Sequence, residues 1–335
     1  MSRRLRTAIL GTGSFAHRHM RSLQQLESQV EMVAFCNRTI EKAIAFSQQY
    51  TGGQAPVFSD HHQMFDQVPL DVVVICLPPF AHSDEVEIAA SLDTHVFIEK
   101  PIALTSEQAW SMVNAAERAG IVTQVGFMFR FGEAVERLKG LINSGEAGPV
   151  GLMSARYFCN ALHATWWRKR ELSGGQLVEQ VIHMVDLMRF LMGEAVTVYS
   201  RQENLFHRGV EDYTVEDVSA TVFSFPGGGV GVIYATNGAI PGRWINDYRL
   251  VARNITADFT NANNAVFYHT SEGNRQQVVT SERDIHLAEM QDFLNAIRTG
   301  RKARTPLREG AKSLDLALAA RESAQMGREV LISEK

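Results

Sequence analysis

The chain has 335 residues, enough for two domains or one large α/β domain, and its 45% hydrophobic and 21% charged residues are ordinary for a globular protein. A formal net charge of -4 gives no electrostatic reason to expect nucleic acid or an anionic membrane as a partner. The three cysteines are too scattered for a disulfide framework or a thiolate zinc site, and no run approaches the roughly 18 apolar residues of a membrane helix, so we expect a cytoplasmic protein.

Short apolar runs alternate with helical patterns through the first third of the chain. The patterns predict strands over 6–11, 30–38, 71–78, 95–100 and 121–128, and helices over 14–28, 39–50, 81–93 and 105–120. The run at 71–78 is almost continuously apolar, as expected of a strand that is buried on both faces. The alternation predicts a doubly wound parallel sheet, a Rossmann domain over residues 1–125.

The pattern changes after about residue 125 and favours a second, α+β domain over residues 126–335. A predicted helix at 134–148 is followed by alternating segments at 149–160, 195–206, 217–237, 248–261 and 265–273. Because these segments lack intervening helices, we predict an open, mostly antiparallel sheet. Two terminal helices are predicted over 284–299 and 309–327.

One more helix is predicted over 173–190, where three ionisable residues interrupt the apolar positions. Glu179, His183 and Asp186 are four and then three residues apart, which places them on one stripe of a continuous helix. Asp186 could fix the tautomer of the imidazole. Two other interpretations stay open: a core histidine satisfied by one acid, and a metal site with these three ligands. No fourth ligand is evident, so we predict no metal.

A glycine-rich turn joins the first strand to the first helix. Gly11 permits the tight turn, Gly13 lets a pyrophosphate approach the backbone, and Ala16 allows close helix packing in a GxGxxA pattern. Ser14 and Phe15 begin the helix, whose free N–H groups attract phosphates. We therefore predict a nicotinamide dinucleotide cofactor.

The second strand ends in Asn37 and Arg38, where an NAD site usually carries an acid for the ribose hydroxyls. Asn37 does not repel a 2′-phosphate, and Arg38 can pair with one, so we predict NADP as the preferred cofactor, with NAD as the alternative. If Arg38 only stacks on the adenine, both cofactors would be accepted.

Glu99 and Lys100 stand at the carboxyl end of a predicted buried strand, the edge of a parallel sheet where ligands bind. A partly desolvated lysine there can exchange a proton with a substrate hydroxyl during hydride transfer. The alternative is a surface lysine paired with Glu99.

The chain resembles the glucose-fructose oxidoreductase, inositol dehydrogenase and rhizopine catabolism protein family, Gfo/Idh/MocA. The resemblance depends on the ordered motifs GxGxxA at 11–16, Glu-Lys-Pro at 99–101, and Gly-Gly at 174–175 leading to Glu179 and His183. It implies a Rossmann domain followed by an open-sheet domain, and a homodimer or homotetramer.

The resemblance also implies roles for individual residues. Lys100 would be the acid/base residue and touch the nicotinamide ribose, and His183 would contact the reacting hydroxyl. A loop with Leu77, Pro78 and His82 would border the cofactor, although Pro79 replaces the asparagine often found there.

Two features of the second half are less regular. Glu179 stands where the sugar and polyol dehydrogenases of the family usually carry aspartate, so its catalytic role is open. We predict that aromatic and polar side chains of the preceding segment, together with one acid of the helix, select the substrate. These residues are His163, Trp166, Trp167, Arg168 and Asp186. One of the two tryptophans could instead pack in the core.

The predicted function is an NAD(P)-dependent dehydrogenase acting on a secondary alcohol of a sugar, inositol or related polyol. Two alternatives stay open. One is an NAD-dependent glycosidase that acts by transient oxidation, and the other is a non-catalytic nucleotide-sensing regulator on the same fold.

Overall fold

The structure is a computed structural model that describes residues 3–273 and 275–333. The chain divides into two compact units. The first comprises the chain up to Gly126 together with Asp284–Ala311, and the second comprises Phe127–Arg283 and the residues from Lys312 onward. Within the described residues, no helix combines the length and apolarity needed to cross a membrane.

Six parallel strands form the sheet of the first unit, in the order β3-β2-β1-β4-β5-β6. This is the strand order of a doubly wound dinucleotide-binding sheet, as predicted. The strands are β1 (Leu5–Leu10), β2 (Val30–Cys36), β3 (Val57–Phe58), β4 (Val72–Ile75), β5 (His95–Ile98) and β6 (Thr123–Val125).

The helices of the first unit are α1 (Ser14–Gln25), α2 (Ile40–Thr51), α3 (His61–Gln67), α4 (Glu85–Ser91), α5 (Ser106–Ala119) and, from the later segment, α10 (Ile285–Thr299). Several begin and end at typical signals. Thr105 caps α5 by accepting from the Gln108 N–H, and Gly120 ends it at a positive φ of 69°.

The prediction of one continuous second domain over 126–335 is wrong for residues 284–311. Helix α10 packs against α1, and its Met290, Phe293 and Leu294 belong to the same buried core as Ile9 and Phe97 of the sheet. Each such large apolar side chain stabilises the unit by about 1.5–3 kcal/mol when it is buried. The periodicity of α10 shows an apolar face but does not show which sheet that face covers.

The second unit holds a nine-stranded sheet in the order β14-β13-β12-β11-β7-β10-β9-β8-β15. The strands are β7 (Val150–Phe158), β8 (Thr197–Glu203), β9 (Val218–Ser224), β10 (Val230–Thr236), β11 (Tyr248–Ala252), β12 (Ile255–Asn261), β13 (Asn264–His269), β14 (Arg275–Val279) and β15 (Val330–Leu331). All neighbours are antiparallel except β7 and β10, which matches the predicted open, mostly antiparallel sheet.

The remaining helices are α6 (Glu133–Asn143), α7 (Arg170–Ser173), α8 (Gln176–Glu179), α9 (Ile182–Met192) and α11 (Leu307–Met326). Helix α9 packs on β7 and β10, where Gly231 leaves room for the Met188 side chain. The segment 248–261, predicted as one run, is the hairpin of β11 and β12, which turns at Arg253 and Asn254.

Candidate functional site

The carboxyl ends of β1, β2 and β4 meet at one edge of the first sheet. The Gly11 N–H donates to the Cys36 carbonyl at 2.8 Å, and the Cys76 N–H donates to the Leu10 carbonyl at 2.7 Å. Gly11 has a φ of +91°, and a Cβ atom there would lie 2.5 Å from the Cys76 carbonyl oxygen. Only glycine fits this position, because both the backbone conformation and the space exclude a side chain.

Helix α1 begins directly after this turn. Gly13 is its N-cap, and a Cβ atom at Gly13 would meet nothing within 4 Å. Ser14 and Phe15 are exposed, whereas Ala16 is fully buried against the sheet. Because the first N–H groups of a helix have no partner within the helix, the open side of Gly13 presents donors and a positive dipole end to a phosphate.

The end of β2 braces the glycine turn. Asn37 accepts a hydrogen bond from the Thr12 N–H at 3.2 Å and donates to the Thr39 carbonyl at 3.0 Å, so both ends of its amide are used within the unit. Arg38 is exposed, and among the described residues no carboxylate lies within ion-pair distance of it. Of the two predicted cofactor residues, Asn37 therefore braces the glycine turn and Arg38 faces solvent.

The loop after β4 contains the predicted residues Leu77, Pro78 and His82. Its short 3₁₀ turn, Pro79–Ala81, leads to a His82 ring that is completely buried. His82 Nδ1 lies 2.5 Å from Glu85 Oε1. Burial, the largest single influence, raises the pKa of the Glu85 carboxyl, but His82 and the backbone N–H groups that bond the carboxylate together outweigh it and lower that pKa.

Buried polar atoms at this edge fit a bound dinucleotide. Among the described residues, neither the Thr12 hydroxyl in the glycine turn nor Nε2 of His82 has a hydrogen-bond partner. Buried polar groups in native proteins are nearly always paired, so such atoms point to a bound group. Together with the open side of Gly13, they give the edge donors and acceptors for phosphates and riboses.

Glu99 and Lys100 directly follow β5 at the same edge. Glu99 is buried, and its Oε1 lies 2.6 Å from Nε2 of His19 on α1, while its Oε2 accepts from the Lys100 N–H at 3.2 Å. A Cβ atom at Gly126 would lie 2.8 Å from Glu99, so the carboxylate is enclosed. Glu99 thus fixes the backbone from which the half-buried Lys100 projects.

His19 was not predicted as a site residue from the sequence, although it lies about one helical turn after Ala16. Its ring also packs on Phe97 at 4.8 Å. The available signal was its position on the buried face of α1, where an imidazole needs a polar partner.

In the second unit, the helix predicted over 173–190 is broken. Helix α8 ends at Glu179 and α9 begins at Ile182, with Gln180 and Val181 between them. The apolar positions continue through the break, which is why their spacing indicated one helix. The prediction of one continuous helix is therefore wrong, although Gln180 and Val181 both keep a right-handed helical backbone.

Each of the three ionisable residues of this segment makes a contact that the sequence did not predict. Glu179 accepts from the Trp167 indole N–H at 2.7 Å, and His183 packs against Phe129 at 5.2 Å. Asp186 is buried and accepts two hydrogen bonds from Arg130, at 2.6 and 2.8 Å. Asp186 therefore belongs to a buried ion pair that joins α9 to the turn Met128–Phe131.

Glu179, His183 and Asp186 do not appear among the described groups whose ligand atoms lie close together. Over residues 3–273 and 275–333, the groups with ligand atoms close enough for one ion are Asp60, His61 and His62, and His61, Asp84 and Glu85. In the first group His62 Nδ1 lies 3.1 Å from Asp60 Oδ1, and His61 Nε2 lies 2.9 Å from Asp84 Oδ1, so these side chains already have partners.

The segment before α7 holds the other predicted substrate residues. Trp167 is 2% exposed and packs with Tyr213 and Val215, so it is the core tryptophan of the two, and little of its ring is left for a substrate. Arg168 donates to the carbonyl oxygens of Leu162 and His163, so its guanidinium holds the loop.

Trp166 is only partly buried, and His163 lies against Trp167 with ring centroids 4.3 Å apart. Two residues that were not predicted from the sequence lie here: the exposed Trp244 beside His163, and Tyr157, at the end of β7, beside Trp244. An exposed tryptophan in a loop rich in glycine and proline was the available signal for Trp244.

Both units match models of known protein families. Residues 5–127 match the family model described as oxidoreductase family, NAD-binding Rossmann fold (GFO_IDH_MocA), and residues 135–256 match the GFO/IDH/MocA C-terminal domain. The chain belongs to the Gfo/Idh/MocA family. It is therefore an oxidoreductase with an NAD-binding Rossmann fold, which confirms the resemblance and the predicted fold class.

Named members of the Gfo/Idh/MocA family are similar along the chain. The D-glucoside 3-dehydrogenase of Escherichia coli strain K12 is 27% identical over 97% of both chains. The inositol 2-dehydrogenase of Salmonella typhimurium strain LT2 is 31% identical over 60% of each chain. A solved structure of levoglucosan dehydrogenase in complex with NADH and levoglucosan has a TM-score of 0.91 at 20% identity, covering 99% of this chain and 100% of that one.

Proposed function

We propose that this protein is an NAD(P)-dependent dehydrogenase that transfers a hydride between the nicotinamide and a secondary alcohol of a sugar, inositol or related polyol. The single observation that carries the proposal is Lys100, which directly follows β5 at the sheet edge that also presents the glycine turn. The dehydrogenase names of the family members cited above support the same class of substrate.

The first unit would hold the cofactor with the residues at this edge. The glycine turn would take the pyrophosphate, Asn37 and Arg38 the adenosine ribose, and the loop with Leu77, Pro78 and His82 would border the nicotinamide half. When it is bound, the nicotinamide accepts the hydride from the alcohol carbon, which is the chemistry that the cofactor supplies.

Lys100 would take the hydroxyl proton as the carbon–oxygen double bond forms, and would return it in the reverse direction. Because Glu99 is enclosed and bonded to the Lys100 N–H, the lysine side chain starts from a fixed backbone. His183 would donate a hydrogen bond to the reacting oxygen. Glu179, held by Trp167, would carry the negative charge that most sugar dehydrogenases of the family supply with aspartate.

We also propose that NADP is preferred over NAD. Arg38 is exposed and has no carboxylate partner among the described residues, so its charge is available to a 2′-phosphate. Asn37, whose amide is used in bracing the turn, brings no negative charge to oppose that phosphate.

The experiment is a panel of sugars, inositols and their glycosides, assayed for nicotinamide reduction with NAD and NADP in parallel. We expect turnover of at least one polyol and tighter binding of NADP than of NAD. The variant Arg38→Ala should lose that preference. Release of free sugar from an aryl glycoside without net reduction would favour the glycosidase instead. Cofactor binding without turnover of any compound would favour a regulator.

A second copy of the chain is the proposed partner. One face of the second sheet is covered by α9, and the other exposes apolar side chains on four neighbouring strands, at Leu152, Tyr199, Val222, Val230 and Tyr234. They adjoin in the sheet, since Leu152 pairs with Val230 and Val222 pairs with Tyr199. An apolar patch of this kind is typical of an interface, here one that forms a homodimer or homotetramer.

A cytoplasmic location is proposed on the state of the cysteines. Cys36, Cys76 and Cys159 are all free thiols, as is typical of a reducing compartment.

A further inference from the structure

Trp244 is an exposed aromatic residue that the fold holds in place. Its ring meets Tyr157 edge-on at 6.1 Å and His163 at 5.7 Å, and 55% of the residue is exposed. The neighbouring Ile245 exchanges two backbone hydrogen bonds with Phe158, at 2.8 and 2.9 Å, so the loop is pinned to the end of β7. We call Tyr157, His163 and Trp244 the aromatic corner.

His163 has an unusual backbone in the aromatic corner. Its φ is +56°, in the left-handed region that non-glycine residues seldom adopt, and Arg168 donates to its carbonyl oxygen and to that of Leu162. Strained residues of this kind persist where the surrounding structure enforces them, and they cluster at ligand sites. The strain here serves to place an imidazole between Trp167 and Trp244.

The hydrogen-bond network assigns a tautomer to His163. The Gln176 amide donates to Gln180 Oε1 at 3.5 Å, so the Gln180 amide nitrogen, 2.9 Å from His163 Nε2, is the donor to the ring. Nε2 is then the acceptor, and Nδ1 carries the proton. Burial, opposed in part by the charge of Glu179, lowers the pKa of His163, so the ring stays neutral at pH 7.

The floor of the aromatic corner is polar and buried. Asn237, which is fully buried, accepts from the Cys159 thiol at 2.8 Å and from the Gln176 amide at 3.0 Å, and it donates to the Tyr213 hydroxyl at 2.9 Å. Among the described residues, Oε1 of Gln176 has no hydrogen-bond donor. A few fixed polar groups beneath an aromatic wall are the usual composition of a small-ligand site.

We propose that the aromatic corner binds the second ring of a glycoside, either the aglycone or a further sugar, when its first ring is the one oxidised. A pyranose or phenyl ring presents an apolar face that matches the indole of Trp244. Tyr157 and His163, whose rings flank Trp244, then supply a phenol and an imidazole to hydrogen-bond that second ring. The inference rests on the proposed dehydrogenase function and narrows its substrate class to glycosides.

The test compares phenyl and methyl glycosides of D-glucose and D-galactose, in both anomeric forms, on the enzyme with its cofactor. The wild-type enzyme should favour the phenyl glycoside in KM by about tenfold, the scale of one aromatic contact. Trp244→Ala should remove that preference by raising the KM of the phenyl glycoside about tenfold more than that of the methyl glycoside, and Trp244→Phe should restore part of it.

Two further variants separate binding from folding. Trp110→Ala, which removes an indole from α5 beside Arg308, should leave the preference unchanged. His163→Asn should keep the melting temperature, because asparagine tolerates the left-handed backbone, yet weaken binding of the phenyl glycoside. An equal loss for phenyl and methyl glycosides in Trp244→Ala, or no wild-type preference, would overturn the proposal.

A readout without turnover distinguishes the two proposals. Saturation-transfer NMR on the cofactor-bound protein detects phenyl β-D-glucoside and phenyl α-D-glucoside directly. One outcome is that the wild type binds one of these glycosides, Trp244→Ala does not bind it, and no sugar is oxidised. That outcome would support the aromatic corner as a binding site and contradict the dehydrogenase function. If sugars are oxidised but neither phenyl glycoside binds more tightly than its methyl counterpart, the dehydrogenase function is supported and the aromatic corner is contradicted as a binding site.

Discussion

At the scale of single residues, the candidate site depends on buried carboxylates that hold basic groups in place. Glu99 is bonded to His19 and to the Lys100 N–H, and Glu85 is bonded to His82. Glu85 follows His82 by three residues and Glu99 directly precedes Lys100, whereas His19 lies within α1, 80 positions before Glu99. The sequence shows the pairs at close spacing, such as His82 and Glu85, but it does not show that His19 and Glu99 meet.

Replacing Lys100 with methionine tests the proton transfer. Lys100→Met keeps most of the aliphatic length but removes the amine, so we expect kcat to fall about 10²–10⁴-fold while the cofactor Kd changes little. Lys42→Met, on the exposed face of α2, is the matched control. Near-normal turnover of Lys100→Met would contradict its role.

Glu289 predicts how stability depends on pH. It is fully buried on α10; burial first, and then the charge of Glu99, raise the pKa of its carboxyl well above the ordinary 4.5, while His19 opposes this and Asp284 adds to it. His286 Nδ1 also faces it, at 3.3 Å. The folded state therefore keeps a proton that the unfolded state releases, so this group makes stability fall as pH rises above 4.5.

The variant Glu289→Gln isolates this contribution. Its free energy of unfolding relative to wild type should improve by up to about 1.4 kcal/mol for each pH unit above 4.5, until the folded group ionises. Denaturant unfolding at a series of pH values measures the difference. A constant difference across the series would show that Glu289 has no raised pKa.

At the scale of elements, the turn between β1 and α1 contains two glycines with different roles. Gly11 is required by the space and the backbone conformation, and Gly13 leaves room for a ligand. Gly11 has a positive φ and leaves no room for a Cβ atom. Gly13 has a φ of -77° and open space beside it. The two glycines of one motif should therefore fail in different ways.

Gly13→Ala should fold normally but bind the cofactor at least about tenfold more weakly, because its methyl group enters the space for the pyrophosphate. Gly11→Ala should lose both cofactor binding and several degrees of melting temperature. Gly52→Ala, at a positive φ of 61° with nothing within 4 Å, measures the backbone cost alone, about 1–2 kcal/mol. Thermal melts and a cofactor titration give both readouts. Equal melting temperatures for Gly11→Ala and Gly52→Ala would contradict the clash with Cys76.

The elements also show how far the sequence is informative. The parallel strands were predictable because each is a short apolar run, such as Val72–Ile75, that is buried on both faces. The break at Gln180 and Val181 was not, because Val178, Val181 and Ile182 keep apolar residues at helical spacing across it. The aromatic corner joins residues about 90 positions apart through strand pairing, which spacing does not reveal.

At the scale of the whole molecule, the exposed apolar face of the second sheet predicts self-association. Val222 lies in the middle of that face, on β9, so Val222→Asp should bury an unpaired charge in any interface formed there. We expect the solution mass of the wild type to be a multiple of the chain mass and that of Val222→Asp to be lower.

Ile44→Asp is the control, since Ile44 is 52% exposed on α2 of the first unit. Light scattering on all three proteins measures the masses. A monomeric wild type, or equal masses for wild type and Val222→Asp, would contradict an interface on this face.

Helix α10 gives the first unit a particular order of assembly during synthesis. The sheet of that unit is complete once Gly126 has left the ribosome, but Met290, Phe293 and Leu294, which close its core, follow after roughly 160 further residues. At about 5–20 residues per second, this is a delay of about 10–30 seconds. During that time Ile9 and Phe97 lack their cover, so the nascent chain carries an apolar surface that a chaperone would bind. A fragment ending at residue 126 would keep that surface permanently.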